Sequence, residues 1–231
     1  AQSVDCLALL PGPNLRYLTG VDSTLMERVY LLLIPAEGQP VAVLPLLELD
    51  TWVQTSGVPA LPFTWKDADG PADAVAQAVA ALPPIKRLAV EDLRMRVQEY
   101  RLLHRYLPGA EIVPGDGIMD ALRLTKGADE LQSLRQAIAV AEAALLEVMA
   151  SVEPGQTERE VADRLAIALM KHGGSSIKLT VLSGPRAALP HGNPSDRRIE
   201  PGDPLLLDYC TAVNGYYSDI TRTFVGGGEP S

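Results

Sequence analysis

Two aspartates near the end of the sequence, Asp208 and Asp219, have a residue type and spacing that could hold a metal ion. They flank the dipeptide Asn214–Gly215 within a segment rich in β-forming residues, and Asn-Gly is the strongest short signal for a two-residue hairpin turn. With this dipeptide as the turn, Asp208 pairs with Thr221 and Cys210 pairs with Asp219. The spacing therefore predicts both carboxylates on one face of the hairpin, with their Cα atoms about 7–8 Å apart.

Two carboxylates held this close repel each other unless a cation lies between them. Their hard oxygen donors suit a divalent ion such as manganese, so we expect a metal site on this face. An aspartate near a hairpin can also be a solvated or turn-capping residue. The position of Asp208 favours the metal interpretation, because it directly follows the apolar run 205–207, where a carboxylate needs a partner.

The composition disfavours some classes of function but does not identify one. A chain of 231 residues is long enough for two modest domains or one large domain. The net charge of −9, from 20 basic and 29 acidic residues, disfavours nucleic acid and anionic membranes as partners. No apolar run approaches the roughly 20 residues that span a bilayer, and we expect no signal peptide in this sequence. Since Cys6 and Cys210 form no disulfide framework, we expect a cytoplasmic location.

The first part of the chain, residues 1–122, has an α/β pattern. Short apolar runs predict buried strands at 7–10, 30–34, 41–44 and 88–90. An alanine-rich stretch over 73–82 predicts a helix that ends before Pro83 and Pro84. Pro114, Gly115 and Gly117 indicate the approach to a domain boundary.

The second part, residues 123–231, opens with two predicted helices. Apolar residues recur at helical spacing over 129–150. Thr157 and Glu160 form a capping box at the start of the next helix, which ends at Gly173–Gly174. A strand near 179–182 and the hairpin with the two aspartates follow.

Several motifs together resemble one family. Residues 190–194 (PHGNP) and 199–203 (IEPGD), followed by the two-aspartate hairpin ending in Thr221–Thr223, resemble the catalytic domain of proline-specific metallopeptidases. These are prolidase and aminopeptidase P, which have the creatinase or pita-bread fold. Residues 14–20 (NLRYLTG), 27–28 and 45–48 (PLLE) resemble the N-terminal domain of the same proteins.

The resemblance implies a fold class and an activity. The fold is expected to be α/β (α+β), with an N-terminal creatinase/prolidase-like α/β domain over 1–122 and an incomplete pita-bread catalytic domain over 123–231. The expected activity is metal-dependent hydrolysis of the Xaa-Pro bond at the N-terminus of dipeptides or short peptides. The expected cofactors are two divalent ions, manganese, cobalt or zinc, and a homodimer is the expected assembly.

The resemblance also assigns site residues. Asp208 and Asp219 correspond to two metal ligands of the family. His191 corresponds to a catalytic histidine beside the metals that holds the substrate or the charge of the tetrahedral intermediate. Without the resemblance, a histidine in a Gly- and Pro-rich loop is more often a solvated residue.

Two departures from the family pattern limit the assignment. The family uses two Asp, one His and two Glu as metal ligands, in that chain order, and only the two Asp are matched here. We therefore expect the sequence to be part of a longer protein and to be inactive alone. Cys210 stands where the family has Gly. Two alternatives remain, a metal-free hydrolase of the creatinase type and a non-catalytic peptidase-like interaction module.

Overall fold

The computed structural model describes residues 3–227. The chain divides into two compact units, residues 1–125 and 126–231. The domain boundary that the sequence suggests after residue 122 stays a prediction. Within the described residues, no helix combines the length and the apolar character that crossing a membrane requires.

The first unit contains a six-stranded mixed sheet with the strand order β4-β3-β2-β1-β5-β6. Strand β1 is parallel to β5, β5 to β6, and β3 to β4, whereas β2 runs antiparallel to both β1 and β3. The strands are β1 (Cys6–Leu9), β2 (Leu31–Pro35), β3 (Val41–Pro45), β4 (Leu61–Trp65), β5 (Arg87–Val90) and β6 (Glu111–Pro114).

Helices cover both faces of this sheet. The helices are α1 (Pro13–Thr19), α2 (Leu49–Thr55), α3 (Ala72–Ala80), α4 (Val97–Tyr106) and α5 (Asp116–Leu124), and a 3-10 turn (Leu46–Glu48) precedes α2. Along β2, Leu31 and Leu33 join the core formed with α3 and α4. Leu32 joins the core formed with α1, α2 and α5. Because both faces are buried, the central strands are continuous apolar runs, and the four predicted strands are confirmed as β1, β2, β3 and β5.

The Pro114–Gly115 turn has a packing role inside the first unit. A Cβ on Gly115 would lie 3.0 Å from the backbone nitrogen and oxygen of Val90, so a larger residue would press against the β5 backbone where the two segments approach. The chain then continues into α5, whose Met119 is fully buried in the first unit.

The second unit places two helices on one face of a three-stranded antiparallel sheet with the order β7-β8-β9. Its elements are α6 (Ala128–Met149), α7 (Glu158–Lys171), β7 (Ser175–Ser183), a 3-10 helix (Gly184–Ala188), β8 (Pro204–Val213) and β9 (Tyr216–Val225). The predicted capping box is confirmed. Thr157 Oγ1 accepts from the Glu160 backbone N–H at 3.1 Å, and Glu160 Oε2 accepts from the Thr157 backbone N–H at 2.7 Å.

The core of the second unit gives a stability prediction. Leu165 of α7 is 0% exposed and lies in that core, so Leu165→Ala should lower the free energy of unfolding by about 2–5 kcal/mol. Ile167 lies on the same helix but is 60% exposed, and Ile167→Ala should cost less than about 0.5 kcal/mol. Urea unfolding of both variants measures the difference. Equal losses would contradict the buried position of Leu165 and the exposed position of Ile167.

Candidate functional site

The hairpin that carries the two aspartates is closed by a two-residue turn. Asn214 and Gly215 have φ angles of 52° and 81°, the positive pair that a type I′ turn requires. Ten residue pairs connect β8 and β9, from Val213 with Tyr216 to Pro204 with Val225. The predicted register is confirmed, because Asp208 pairs with Thr221 and Cys210 pairs with Asp219.

The register places the two carboxylates on the face that α6 and α7 leave uncovered. On the helix-covered face, Leu205, Leu207 and Tyr209 are buried. The buried Tyr209 hydroxyl donates to the backbone oxygen of Ala141 in α6 at 3.1 Å, and burial raises the pKa of Tyr209 to about 12. Tyr209 is thus a protonated donor that fixes the sheet against α6. The alternate positions 208 and 219 face the other side, where Asp208 is partly exposed and Asp219 exposed.

Asp208 lies in the middle of a row of three residues across the sheet. Thr180 of β7 and Thr221 of β9 are its partners in register. The Thr221 hydroxyl donates to Asp208 Oδ1 at 2.8 Å. This bond orients one carboxylate oxygen and leaves the other available to a ligand on the uncovered face.

Cys210 occupies the neighbouring row, between Lys178 of β7 and Asp219 of β9. Burial raises the pKa of the Cys210 thiol, and the negative charges of Asp219 and Asp208 raise it further, against an opposing effect of Lys178. The thiol is therefore neutral at pH 7 and adds no third negative charge to the face.

His191 lies in the exposed loop between the 3-10 helix and β8. A Cβ on its neighbour Gly192 would come within 3.0 Å of the Leu182 side chain. Leu182 pairs with Leu206 in register and, by strand alternation, faces the same side of the sheet as Asp208. The structure thus brings the loop of His191 to the uncovered face that carries the two aspartates.

An ion pair that the sequence did not reveal fixes the chain between this loop and β8. Arg197 Nη1 donates to Asp203 Oδ2 at 2.5 Å and to the Ser183 hydroxyl at 2.8 Å. Asp203 Oδ2 also accepts from the backbone N–H of Glu200 at 2.8 Å. The hydrogen bond from Arg197 is the main cause of a lowered pKa of Asp203. These residues come together only in the folded chain, and no sequence pattern identifies Arg197 as the partner of Asp203.

A second polar residue missed by the sequence analysis is Glu158, the first residue of α7. Its side chain is fully buried and accepts hydrogen bonds from Ser183, Arg186 and Ser195. Burial raises its pKa, but the hydrogen bonds from Ser195 and Ser183 outweigh this and hold the pKa below its usual value. The carboxylate is therefore ionised across the neutral range.

The side chains on the uncovered face supply part of the ligand set that a divalent ion needs. Asp208 and Asp219 offer hard carboxylate oxygens. Within residues 3–227, no group of three or more His, Cys, Asp or Glu side chains could hold a metal ion. The other two histidines have partners within their own units. His104 stacks on Tyr100 on α4, and His172 contacts Glu147 at 2.9 Å. The described residues thus supply two carboxylate ligands, and a complete metal site needs more.

Comparison with known proteins places both units in one family. Residues 1–125 match the creatinase/prolidase N-terminal domain, and residues 132–231 match metallopeptidase family M24. The probable dipeptidase PepE of Mycobacterium tuberculosis is 33% identical over 228 residues, which is 97% of this chain and 60% of PepE. The uncharacterized peptidase YqhT of Bacillus subtilis is 38% identical over 149 residues, 64% of this chain and 42% of YqhT.

Solved structures agree with the sequence matches. The crystal structure of dipeptidase PepE from Mycobacterium ulcerans has a TM-score of 0.86 at 34% identity, covering 99% of this chain and 61% of that one. The prolidase from Thermococcus sibiricus has a TM-score of 0.89 at 27% identity, covering 99% and 62%. The chain thus spans about 60% of the length of these relatives. The expected fold class is confirmed, and the chain belongs to the creatinase/prolidase family, with an M24 metallopeptidase domain as its second unit.

Proposed function

We propose that the protein to which this chain belongs is a metal-dependent peptidase that hydrolyses the Xaa-Pro bond at the N-terminus of dipeptides or short peptides. The observation that carries the proposal is the pair Asp208 and Asp219 on one uncovered sheet face, in a segment that matches metallopeptidase family M24. Solved relatives named prolidase and Xaa-Pro dipeptidase support proline-containing peptides as the substrate class.

Two divalent ions, manganese, cobalt or zinc, are the proposed cofactors. Asp208 and Asp219 would be two of their ligands, and the remaining ligands would come from outside the described residues. When bound, such ions lower the pKa of water and polarise the substrate carbonyl. The Thr221 hydroxyl keeps Asp208 Oδ1 occupied, so it limits how that carboxylate can turn toward an ion.

His191 is the proposed catalytic side chain of this chain. Its imidazole N–H would donate to the substrate carbonyl oxygen as negative charge develops there. The nitrogen of an Xaa-Pro bond carries no hydrogen, so a site specific for this bond must recognise the shape of the proline ring instead of an N–H donor.

The two alternatives differ from the proposal in metal content and activity. A metal-free hydrolase of the creatinase type has no need of the carboxylate pair, and the presence of both Asp208 and Asp219 argues against it. A non-catalytic module would bind peptides without cleaving them. Metal analysis of the purified whole protein, together with an assay on Xaa-Pro peptides, separates all three.

A homodimer and a cytoplasmic location belong to the same proposal. Cys6 and Cys210 are both free thiols, which fits a reducing compartment. Sedimentation velocity at micromolar concentration tests the dimer, and a single monomer peak would contradict it.

The metal assignment predicts the effect of removing one carboxylate. In the whole protein, Asp219→Ala should lower kcat/KM on an Xaa-Pro dipeptide by more than about 100-fold, beyond the usual effect of losing a group that only supports a ligand. Asp163→Ala is the matched control, because Asp163 is an exposed carboxylate on α7, and its kcat/KM should stay at the wild-type value.

Assays with added manganese, cobalt or zinc, alongside metal analysis, measure both variants. An Asp219→Ala variant with wild-type activity would show that Asp219 is not a metal ligand. An inactive wild-type protein that holds no metal would favour the interaction module.

The ligand count predicts weak metal binding by residues 1–231 alone. A divalent ion held by one or two carboxylates keeps most of its water molecules and binds weakly. Calorimetric titration with Mn²⁺ should therefore show no tight site, and the isolated chain should not hydrolyse Xaa-Pro dipeptides or tripeptides. Metal-dependent turnover by these 231 residues would show that the site is complete without further ligands.

A further inference from the structure

Glu158 connects the two ends of the segment that contains His191. Its Oε1 accepts from the Ser183 backbone N–H at 2.7 Å and from the Ser183 hydroxyl at 3.1 Å. Its Oε2 accepts from the Ser195 backbone N–H at 3.0 Å and from the Ser195 hydroxyl at 2.6 Å. Ser183 ends β7 and Ser195 lies beyond the histidine, so one carboxylate fixes both ends of the 184–194 segment.

Arg186 extends this connection into the loop itself. Its Nε donates to both oxygens of Glu158, at 3.2 and 3.1 Å. Its Nη2 donates to the backbone oxygen of Asn193 at 2.8 Å, two residues from His191. The guanidinium therefore connects the buried carboxylate to the part of the loop next to the histidine.

The first turn of α7 adds backbone contacts to the same segment. The Glu158 N–H donates to the Arg197 backbone oxygen and the Arg159 N–H to the Ser195 backbone oxygen, both at 3.1 Å. These N–H groups have no partner inside the helix. Side chain and backbone of one helix end thus hold the same loop.

Neutralising the carboxylate would disrupt this arrangement. Glu158 is 0% exposed, so water does not replace a lost acceptor. A glutamine amide offers only one oxygen and turns an NH₂ donor toward a backbone N–H and the Arg186 guanidinium, which cannot accept a hydrogen bond. Such unmatched donors are costly in a buried site, and the loop can relieve them by leaving α7.

We propose that Glu158 is a positioning residue that holds the His191 loop over the face of Asp208 and Asp219. The role rests on the proposed function, because it acts through His191. The loop already lies against that face where Gly192 meets Leu182. With Glu158 intact, the imidazole is placed before substrate binds, and contacts made mainly in the transition state affect kcat more than KM.

The kinetic test uses Glu158→Gln in the whole, metal-loaded protein. The expected result is a kcat at least tenfold lower on an Xaa-Pro dipeptide, with KM within about threefold of wild type. The double variant Glu158→Gln/His191→Ala should be no slower than His191→Ala alone, because residues that act as one unit are non-additive. If the two substitutions lower kcat independently, so that their effects multiply in the double variant, the proposal is overturned.

A second readout does not depend on activity. Amide hydrogen exchange in peptides covering 184–197 should be faster in Glu158→Gln than in wild type. Glu160→Gln is the matched control, because it neutralises a carboxylate at the same helix end whose hydrogen bond goes to the Thr157 N–H and not to the loop. The glutamine oxygen can still accept from that N–H, so both loop exchange and kcat should stay unchanged. Unchanged exchange in Glu158→Gln would also overturn the proposal.

Failure of the proposed function and failure of the Glu158→Gln variant to fold can each be distinguished from failure of this proposal. If wild-type protein does not cleave Xaa-Pro peptides, the proposed function fails, and hydrogen exchange still decides whether Glu158 holds the loop. If Glu158→Gln does not fold, Ser195→Ala replaces it, since this variant removes the hydroxyl donor to Glu158 and keeps the backbone bond. The same hydroxyl accepts from the Arg197 N–H at 3.2 Å, so exchange is then compared over residues 184–194 only. Ser195→Ala should then raise exchange in the loop by a smaller factor, and wild-type exchange in that variant would reject the role.

Discussion

The two-residue turn at Asn214–Gly215 decides which side of the C-terminal hairpin carries the carboxylates. Because side chains alternate along a strand, a slip of one residue would move every side chain of that strand to the other face. Asp208 would then lie against α6 and α7, and Tyr209 would lose its bond to Ala141. Burying an unpaired carboxylate is strongly unfavourable. Turn geometry and core packing therefore enforce the same register, and the chemistry of the uncovered face depends on it.

Much of the fold was readable in the sequence because its signals are local. Strands β1, β2, β3 and β5 are covered on both faces and appear as apolar runs, and the Thr157–Glu160 box marks the start of α7. The edge strands β4 and β6 were missed. Strand β4 contains Pro62 and is largely exposed, and β6 has no fully buried residue. An edge strand pairs on one side only, so its composition carries a weaker pattern.

The candidate site likewise has one part that the sequence predicts and one part that it does not. The facing of Asp208 and Asp219 follows from a turn signal and a period of two, which the sequence contains. The placement of the His191 loop depends on contacts between distant segments. In the sequence, Glu158 is an ordinary acidic residue in a first helical turn, as favoured there as Glu160. Only the folded chain shows that one carboxylate caps the helix and the other holds a loop.

The hairpin also differs from the β1–β5 pair of the first sheet in how far apart in the chain its partners lie. Its pairing starts at a two-residue turn, whereas β1 must pair with the distant β5, Cys6 with Leu88. Short loops cost less chain entropy to close and form faster. We therefore expect Asp208 and Asp219 to come together before most long-range contacts form, and their mutual repulsion opposes this step. The proximity that suits a cation in the finished fold therefore opposes the closing of the hairpin as long as no cation is bound.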